Sequence, residues 1–203
     1  MGLFFIIGGG ASLDTISSRV ICDAGFSIAI NDAERIAPCA DILYFADTRW
    51  WHWNHASASK FKGKIISRWA GTKHPDVPGV ERVRGCSLPL SEDPAFVAGK
   101  CSGANAINLA YHMGAKTIVL LGFDGGGGNW HNNHQLPTEP DQYTRKFIPA
   151  LERMAEALER RGVRVINTSM HSALTCFEKM PLDEVLAQQN NTDLIGGQYA
   201  AVG

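Results

Sequence analysis

No apolar run in the sequence is long enough to cross a bilayer. The greasy opening, Leu3 to Ile7, is five residues, where a membrane helix needs about 20. It also lacks the basic flank and the length of a secretory signal. A surplus of one charge is missing too. Lys and Arg total 19 against 20 Asp and Glu, a formal charge of −1. That excludes the basic excess of a dedicated nucleic-acid binder. Cysteine is sparse: Cys22, Cys39, Cys86, Cys101 and Cys176 stand far apart, odd in number and with no C-x-x-C pair. This usage fits a reduced, cytoplasmic compartment. No internal repeat is visible.

What is present is enough for a sizeable core. The chain has 203 residues, of which 45% are hydrophobic, a size that suits one α/β domain. Short apolar runs at Leu3 to Ile7, Phe26 to Ile30, Ile42 to Phe45, Lys64 to Ser67, Thr117 to Leu121 and Val163 to Ile166 read as strands. Helices are expected over Ser12 to Val20, Ser102 to Gly114, from Tyr143 to Leu158 with a kink or restart at Pro149, and over 182 to 188. Residues 70 to 100 read as loop with one strand at Val80 to Val83. Strands alternating with helices imply a Rossmann-like, doubly wound, mainly parallel sheet with helices on both faces. The expectation is a single nucleotide-binding α/β domain over 1–189, then a flexible tail, 190–203, rich in Gly, Asn and Gln.

In such folds a ligand sits outside the carboxyl ends of the strands. Gly8, Gly9 and Gly10 leave the first strand at that end and enter a helix with Ser12. Glycines there let a ligand approach the backbone, and a helix start offers free N–H groups, so the turn suits a phosphate. A tight turn with no ligand is the other reading. Asn31, Asp47 and Asp124 each follow a strand, and Ser102 opens a helix. Asn31 suits a sugar hydroxyl or phosphate oxygen. Ser102, with the N–H groups of Gly103 and Ala104, suits a second anion. Each taken alone is equally an ordinary cap.

Two further stretches stand out. "FDGGGGNWHNNH" places four glycines and then His131 and His134 after Asp124. A loop of this kind is expected to close over the crevice and bring a histidine to an acceptor hydroxyl as general base. Metal binding by the histidines with Asp124, or a plain solvent loop, are the other readings. "DTRWWHWNH" carries Trp50, Trp51 and Trp53. At least two of these tryptophans are expected to pack in the core or at a subunit interface that would make the chain a homo-oligomer; the third is free to stack a base or sugar ring. Asp47 and Arg49 are crevice candidates.

"IIGGGASL", the strand ending at Asn31, and "CSGANAINLAYHMGAKTIVLLGFDG" resemble the bacterial sialyltransferases of the Campylobacter type. Similar blocks occur in the related flagellin-modification and hydroxymethylpterin pyrophosphokinase family. The resemblance covers residues 1 to about 170 through three short blocks. It implies that Gly8, Gly10 and Ser12 form the nucleotide-phosphate turn, that Asn31 contacts phosphate and sugar, and that Ser102 and Gly103 contact the nucleotide or donor sugar. Asp124 matches the acid closing the fifth strand, and His134 or His131 the base. Gly9 and Asp47 each stand where the family has Asn. The family's two phosphate-binding tyrosines and long lid have no clear counterpart. The expected activity is transfer from a nucleotide or nucleotide-activated donor to a hydroxyl acceptor. A nucleotide-binding module without turnover, or a Mg²⁺-dependent pyrophosphoryl transferase, are the alternatives.

Overall fold

The computed structural model describes residues 3–15, 18–69, 78–131, 139 and 141–189. His134 and the expected tail, 190–203, lie outside the described residues. The core is a nine-stranded sheet in which all adjacent strands run parallel. Its strands are β1 (Phe4–Ile7), β2 (Phe26–Ile30), β3 (Ile42–Phe45), β4 (Lys64–Trp69), β5 (Val80–Cys86), β6 (Phe96–Ala98), β7 (Thr117–Leu121), β8 (Arg164–Asn167) and β9 (Glu178–Lys179). Their order is β6-β5-β4-β3-β2-β1-β7-β8-β9. The chain therefore winds outward from β1 to β6, crosses back, and restarts on the other side of β1. The switch between β1 and β7 is where a doubly wound sheet opens a crevice.

The strands form because their side chains are buried on both faces. In β1, Phe5, Ile6 and Ile7 are wholly buried, with Ile6 in one core and its two neighbours in the other. Each such side chain stabilises the fold by about 1.5–3 kcal/mol through burial. The Ile6 face is covered by α3 (Ser102–His112) and α4 (Ile148–Glu159). The Phe5 face is covered by α1 (Ser18–Ala24) and by a helix over 182–189. α2 (Thr48–Ala58) packs Trp50 and Trp51 on Phe45, with ring centroids 5.3 and 5.2 Å apart, while Trp53 is 42% exposed. None of the described helices is long and apolar enough to cross a membrane.

Several local expectations need correction. The helix expected over Ser12 to Val20 is a 3₁₀ turn, Ala11–Thr15, followed by α1 starting at Ser18. The cause is tertiary: a side chain from beyond β7 takes the donors of Ser12 that an α-helix would leave to solvent. The region after residue 78 holds two strands rather than one, and β9 was not anticipated. The helix changes character at Pro149: a π-turn over Tyr143–Phe147 runs into α4, with the proline in its first turn. Cys22 and Cys39, expected to be reduced, form a disulfide with a Cα–Cα distance of 6.1 Å. α1 and the turn before β3 lie on one face of the sheet, so a sequence gap of 17 residues closes in space. Cys86, Cys101 and Cys176 are free.

Candidate functional site

A cavity of about 440 Å³ opens at the carboxyl ends of the central strands. Gly8, Gly9 and Gly10 from β1, Asn31 from β2, Asp47 from β3 and Phe123 and Asp124 from β7 all line it. So do Ser102 and Gly103 at the start of α3. The fold thus brings together most of the residues that the sequence singles out.

Their roles inside the cavity differ. The Gly8 and Gly10 N–H groups donate to the carbonyls of Leu121 and Gly122, at 2.8 and 2.9 Å. A Cβ on Gly8 would lie 2.8 Å from the Gly122 oxygen, and one on Gly10 would overlap the Asp124 carboxylate. These two glycines let the ends of β1 and β7 touch. At Gly9 a Cβ would meet only Asn129 Oδ1, at 3.3 Å. Gly9 is therefore the residue of the three that offers open backbone to a ligand.

Asp124, a candidate catalytic residue as the acid that closes its strand, is bound up with the turn. Its carboxylate accepts from the Ser12 hydroxyl at 2.6 Å and from the Ser12 N–H at 3.0 Å. The Ser12 hydroxyl also lies 2.8 Å from that of Ser169. The donors of Ser12 expected to hold a phosphate are thus occupied by a carboxylate. Ser12 faces a neighbouring cavity, shared with Thr168, Ser169 and His171.

Asn31 carries two marks of a ligand contact. It sits at φ 53°, the only non-glycine among the described residues at positive φ, a conformation that costs strain. Its Oδ1 is buried with no hydrogen-bond partner. A buried polar atom left unpaired is costly, and here it belongs to a residue that lines the cavity.

At the start of α3 the expected anion clamp is partly filled. Cys101 is the N-cap, and its sulfur accepts from the Ala104 N–H at 3.5 Å. Burial pushes the Cys101 thiol up, while the N–H groups of Ala104 and Gly103 pull it back. Ser102 keeps a hydroxyl on the cavity. Gly103 is required by packing, because a Cβ there would lie 2.7 Å from the Phe123 ring. Asp47 caps α2 through the Arg49 N–H at 2.9 Å and holds the Arg49 guanidinium at 2.6 and 3.1 Å.

His131 does not line the cavity. Its side chain is 6% exposed, with Nε2 3.8 Å from Asp32 Oδ2, and its ring meets Trp130 edge-on at 4.7 Å. The same Asp32 oxygen accepts from Trp50 Nε1 at 3.0 Å, and Arg35 approaches the other at 3.3 Å. His131 thus belongs to a buried network beneath the Asn31 turn. His134, the first candidate for the base, lies outside the described residues.

The sequence reading missed Arg68, Lys100, Asn129, Tyr143 and Phe147, all of which line the cavity. Arg68 carried a signal: a charged residue in line with an apolar strand, one position beyond where that strand was expected to stop. Tyr143 and Phe147 were read only as one face of a helix; their rings meet edge-on at 5.4 Å.

Comparison with solved structures places this architecture. The sialyltransferase CstII from Campylobacter jejuni with cytidine-5′-monophosphate matches over 89% of this chain and 85% of its own, at TM-score 0.56 and 13% identity. The sialyltransferase CST-II with a trisaccharide acceptor and CMP matches over 88% and 85%, at 0.53 and 12%. This chain has a sialyltransferase-like fold. A variant of CST-II with CMP matches the same fold at TM-score 0.54 and 13% identity, over 89% of this chain and 86% of that one. No protein-family profile and no curated protein sequence matches the chain. At these identities the likeness is one of sialyltransferase-like backbone.

Proposed function

We propose that the protein is a transferase that binds a nucleotide or nucleotide-linked donor in the 440 Å³ cavity and passes a group to a hydroxyl acceptor. The observation that carries the reading is Asn31: strained backbone and an unpaired buried amide oxygen, at the carboxyl end of β2, on the wall of the cavity. Its amide suits a ribose hydroxyl or a base edge. The Gly9 backbone and the Ser102 hydroxyl flank it. The sialyltransferase-like fold and the CMP bound by the matched enzymes support a nucleotide as the ligand.

In transfer, the acceptor oxygen bonds to the migrating group as the bond to the nucleotide phosphate breaks, and a base takes the hydroxyl proton. His134 is the base in this reading. Calorimetric titration with nucleoside monophosphates, diphosphates and nucleotide sugars tests the binding step. Asn31→Ala is expected to weaken the best ligand by about 1–2 kcal/mol. Unchanged affinity would place the ligand elsewhere.

A second reading, a nucleotide-binding module without turnover, draws support from the two described candidates for proton transfer. Asp124 is engaged by Ser12, and His131 is buried against Asp32. Hydrolysis of bound donor, abolished in His134→Ala, separates transferase from module. Dependence of that turnover on Mg²⁺ would single out pyrophosphoryl transfer.

A further inference from the structure

Two cations line the cavity with no carboxylate partner among the described residues. Arg68, near the carboxyl end of β4, is half-buried on the cavity wall. Its guanidinium donates to Asn105 Oδ1 at 3.5 Å, and no carboxylate of the described residues pairs with it. Lys100, an exposed residue just before the start of α3, lines the mouth of the same cavity and has no partner among the described residues. Of the two carboxylates on the cavity wall, Asp47 is already held by Arg49 and Asp124 by Ser12. The Tyr44 hydroxyl on the neighbouring strand β3 is buried without a hydrogen-bond partner; burial pushes its pKa up and the Arg68 charge pulls it back. A half-buried guanidinium without a counter-ion is costly, and a bound anion removes that cost.

The position of Arg68 is also enforced. β4 and β5 pair with Arg68 opposite Val83 and Trp69 opposite Arg84, which brings Gly85 alongside. A Cβ on Gly85 would overlap Arg68 Nε and lie 2.8 Å from Cζ. Gly85 does not have positive φ, so backbone freedom does not explain it. The glycine leaves the space in which the arginine lies.

We propose that Arg68 and Lys100 form a second anion subsite, which takes a negatively charged group that the nucleotide ligand carries beyond its first phosphate. This rests on the nucleotide reading above and narrows it. The planar fork of Arg68 suits two oxygens of one phosphate or carboxylate, and Lys100 adds a point charge. That group is either the second phosphate of a nucleoside diphosphate or a carboxylate on the transferred group.

The test is calorimetric titration of nucleosides, nucleoside monophosphates, nucleoside diphosphates and a nucleoside monophosphate joined to a carboxylate-bearing sugar, into the parent, Arg68→Met and Gly85→Ala. Arg68→Met should weaken the two-anion ligand by roughly tenfold or more and the plain monophosphate by less than about threefold. Gly85→Ala keeps the arginine but displaces it, and should move affinity the same way. Which two-anion ligand suffers identifies the source of the charge. Equal loss for one-anion and two-anion ligands, or no loss for either, overturns the subsite while leaving the nucleotide reading standing. Failure of every nucleotide to bind the parent overturns both.

Discussion

Asp124 holds Ser12 by two bonds, to its hydroxyl at 2.6 Å and its N–H at 3.0 Å, across a sequence gap of 112 residues. The pair ties the end of β7 to the turn after β1 on either side of the topological switch. A carboxylate here does the work that a bound phosphate does in other turns of this kind: it satisfies donors at a helix start. Ser12→Ala removes one partner and leaves a carboxylate short of a donor. It should lower stability by about 1–3 kcal/mol in denaturant melts. Ligand affinity should change little if Ser12 is outside the ligand's reach. A tenfold loss of affinity with unchanged stability would put Ser12 back in the phosphate site.

The three glycines should separate cleanly. Gly8→Ala drives a Cβ to 2.8 Å from the Gly122 carbonyl and 3.2 Å from the Phe123 ring. It should destabilise the fold by about 1–3 kcal/mol, as overpacking does. In Gly9→Val the new Cβ meets only Asn129 Oδ1, at 3.3 Å, on the wall of the cavity. The variant's melting temperature should stay near the parent's while nucleotide binding is lost. A Gly9→Val protein that binds as the parent does would show the turn to be purely structural.

Asn31 allows backbone and side chain to be tested apart. Asn31→Gly keeps the positive φ of 53° without strain but deletes the amide. Stability should hold or rise by up to about 1 kcal/mol, because strain is relieved and an unpaired oxygen removed. Affinity should fall. Asn31→Ala deletes the amide and keeps the strain, so it should lose affinity equally and stability more. Thermal melts with parallel titrations check both; equal affinity in all three proteins removes the amide from the site.

The sequence exposed the skeleton well and the assignment of donors poorly. β2, β3 and β7 fall where their apolar runs begin and end, because parallel strands buried on both faces are written as unbroken hydrophobic stretches. The doubly wound architecture and the convergence of Gly9, Asn31 and Ser102 follow from that order alone. What stayed hidden was pairing across the sheet. Nothing near Ser12 announces Asp124, nothing near Cys22 announces Cys39, and His131 reads as a loop residue until Asp32 and Trp50 are beside it. The place of Arg68 at the strand end was visible, but not the glycine that makes room for it, which is on the neighbouring strand.

Alkaline stability should show one half-buried thiol. Burial pushes the Cys176 thiol from its ordinary 9.0 up to about 11. The folded protein keeps this proton to higher pH than the unfolded chain does. The stability it contributes is therefore fully present below about pH 9 and is lost as pH rises through about 11. Cys176 is partly exposed, so the effect is modest. Denaturant midpoints measured from pH 8 upward should fall less steeply in Cys176→Ser than in the parent. Parallel slopes would show that the thiol does not report folding.

The two histidines of the glycine-rich stretch should behave in opposite ways. His131 is 6% exposed, close to Asp32 and edge-on to Trp130. His131→Ala leaves Asp32 with one partner fewer and opens a void beside a tryptophan whose Nε1 is already unpaired. It should cost stability by about 1–3 kcal/mol, and lower affinity only as far as the Asn31 turn above Asp32 loosens. His134 is proposed as the base, so His134→Ala should keep fold and ligand binding while turnover falls by about 10²–10⁴-fold, the usual contribution of general base catalysis. In the parent, turnover should drop as pH falls through the histidine range, because a protonated imidazole accepts no proton. Hydrogen exchange of residues 125–131 should slow when ligand is added, because Gly125, Gly126 and Asn129 line the cavity. A His134→Ala protein with full turnover and the parent's pH profile removes the histidine base. If donor hydrolysis is also absent in the parent, the protein is a nucleotide-binding module.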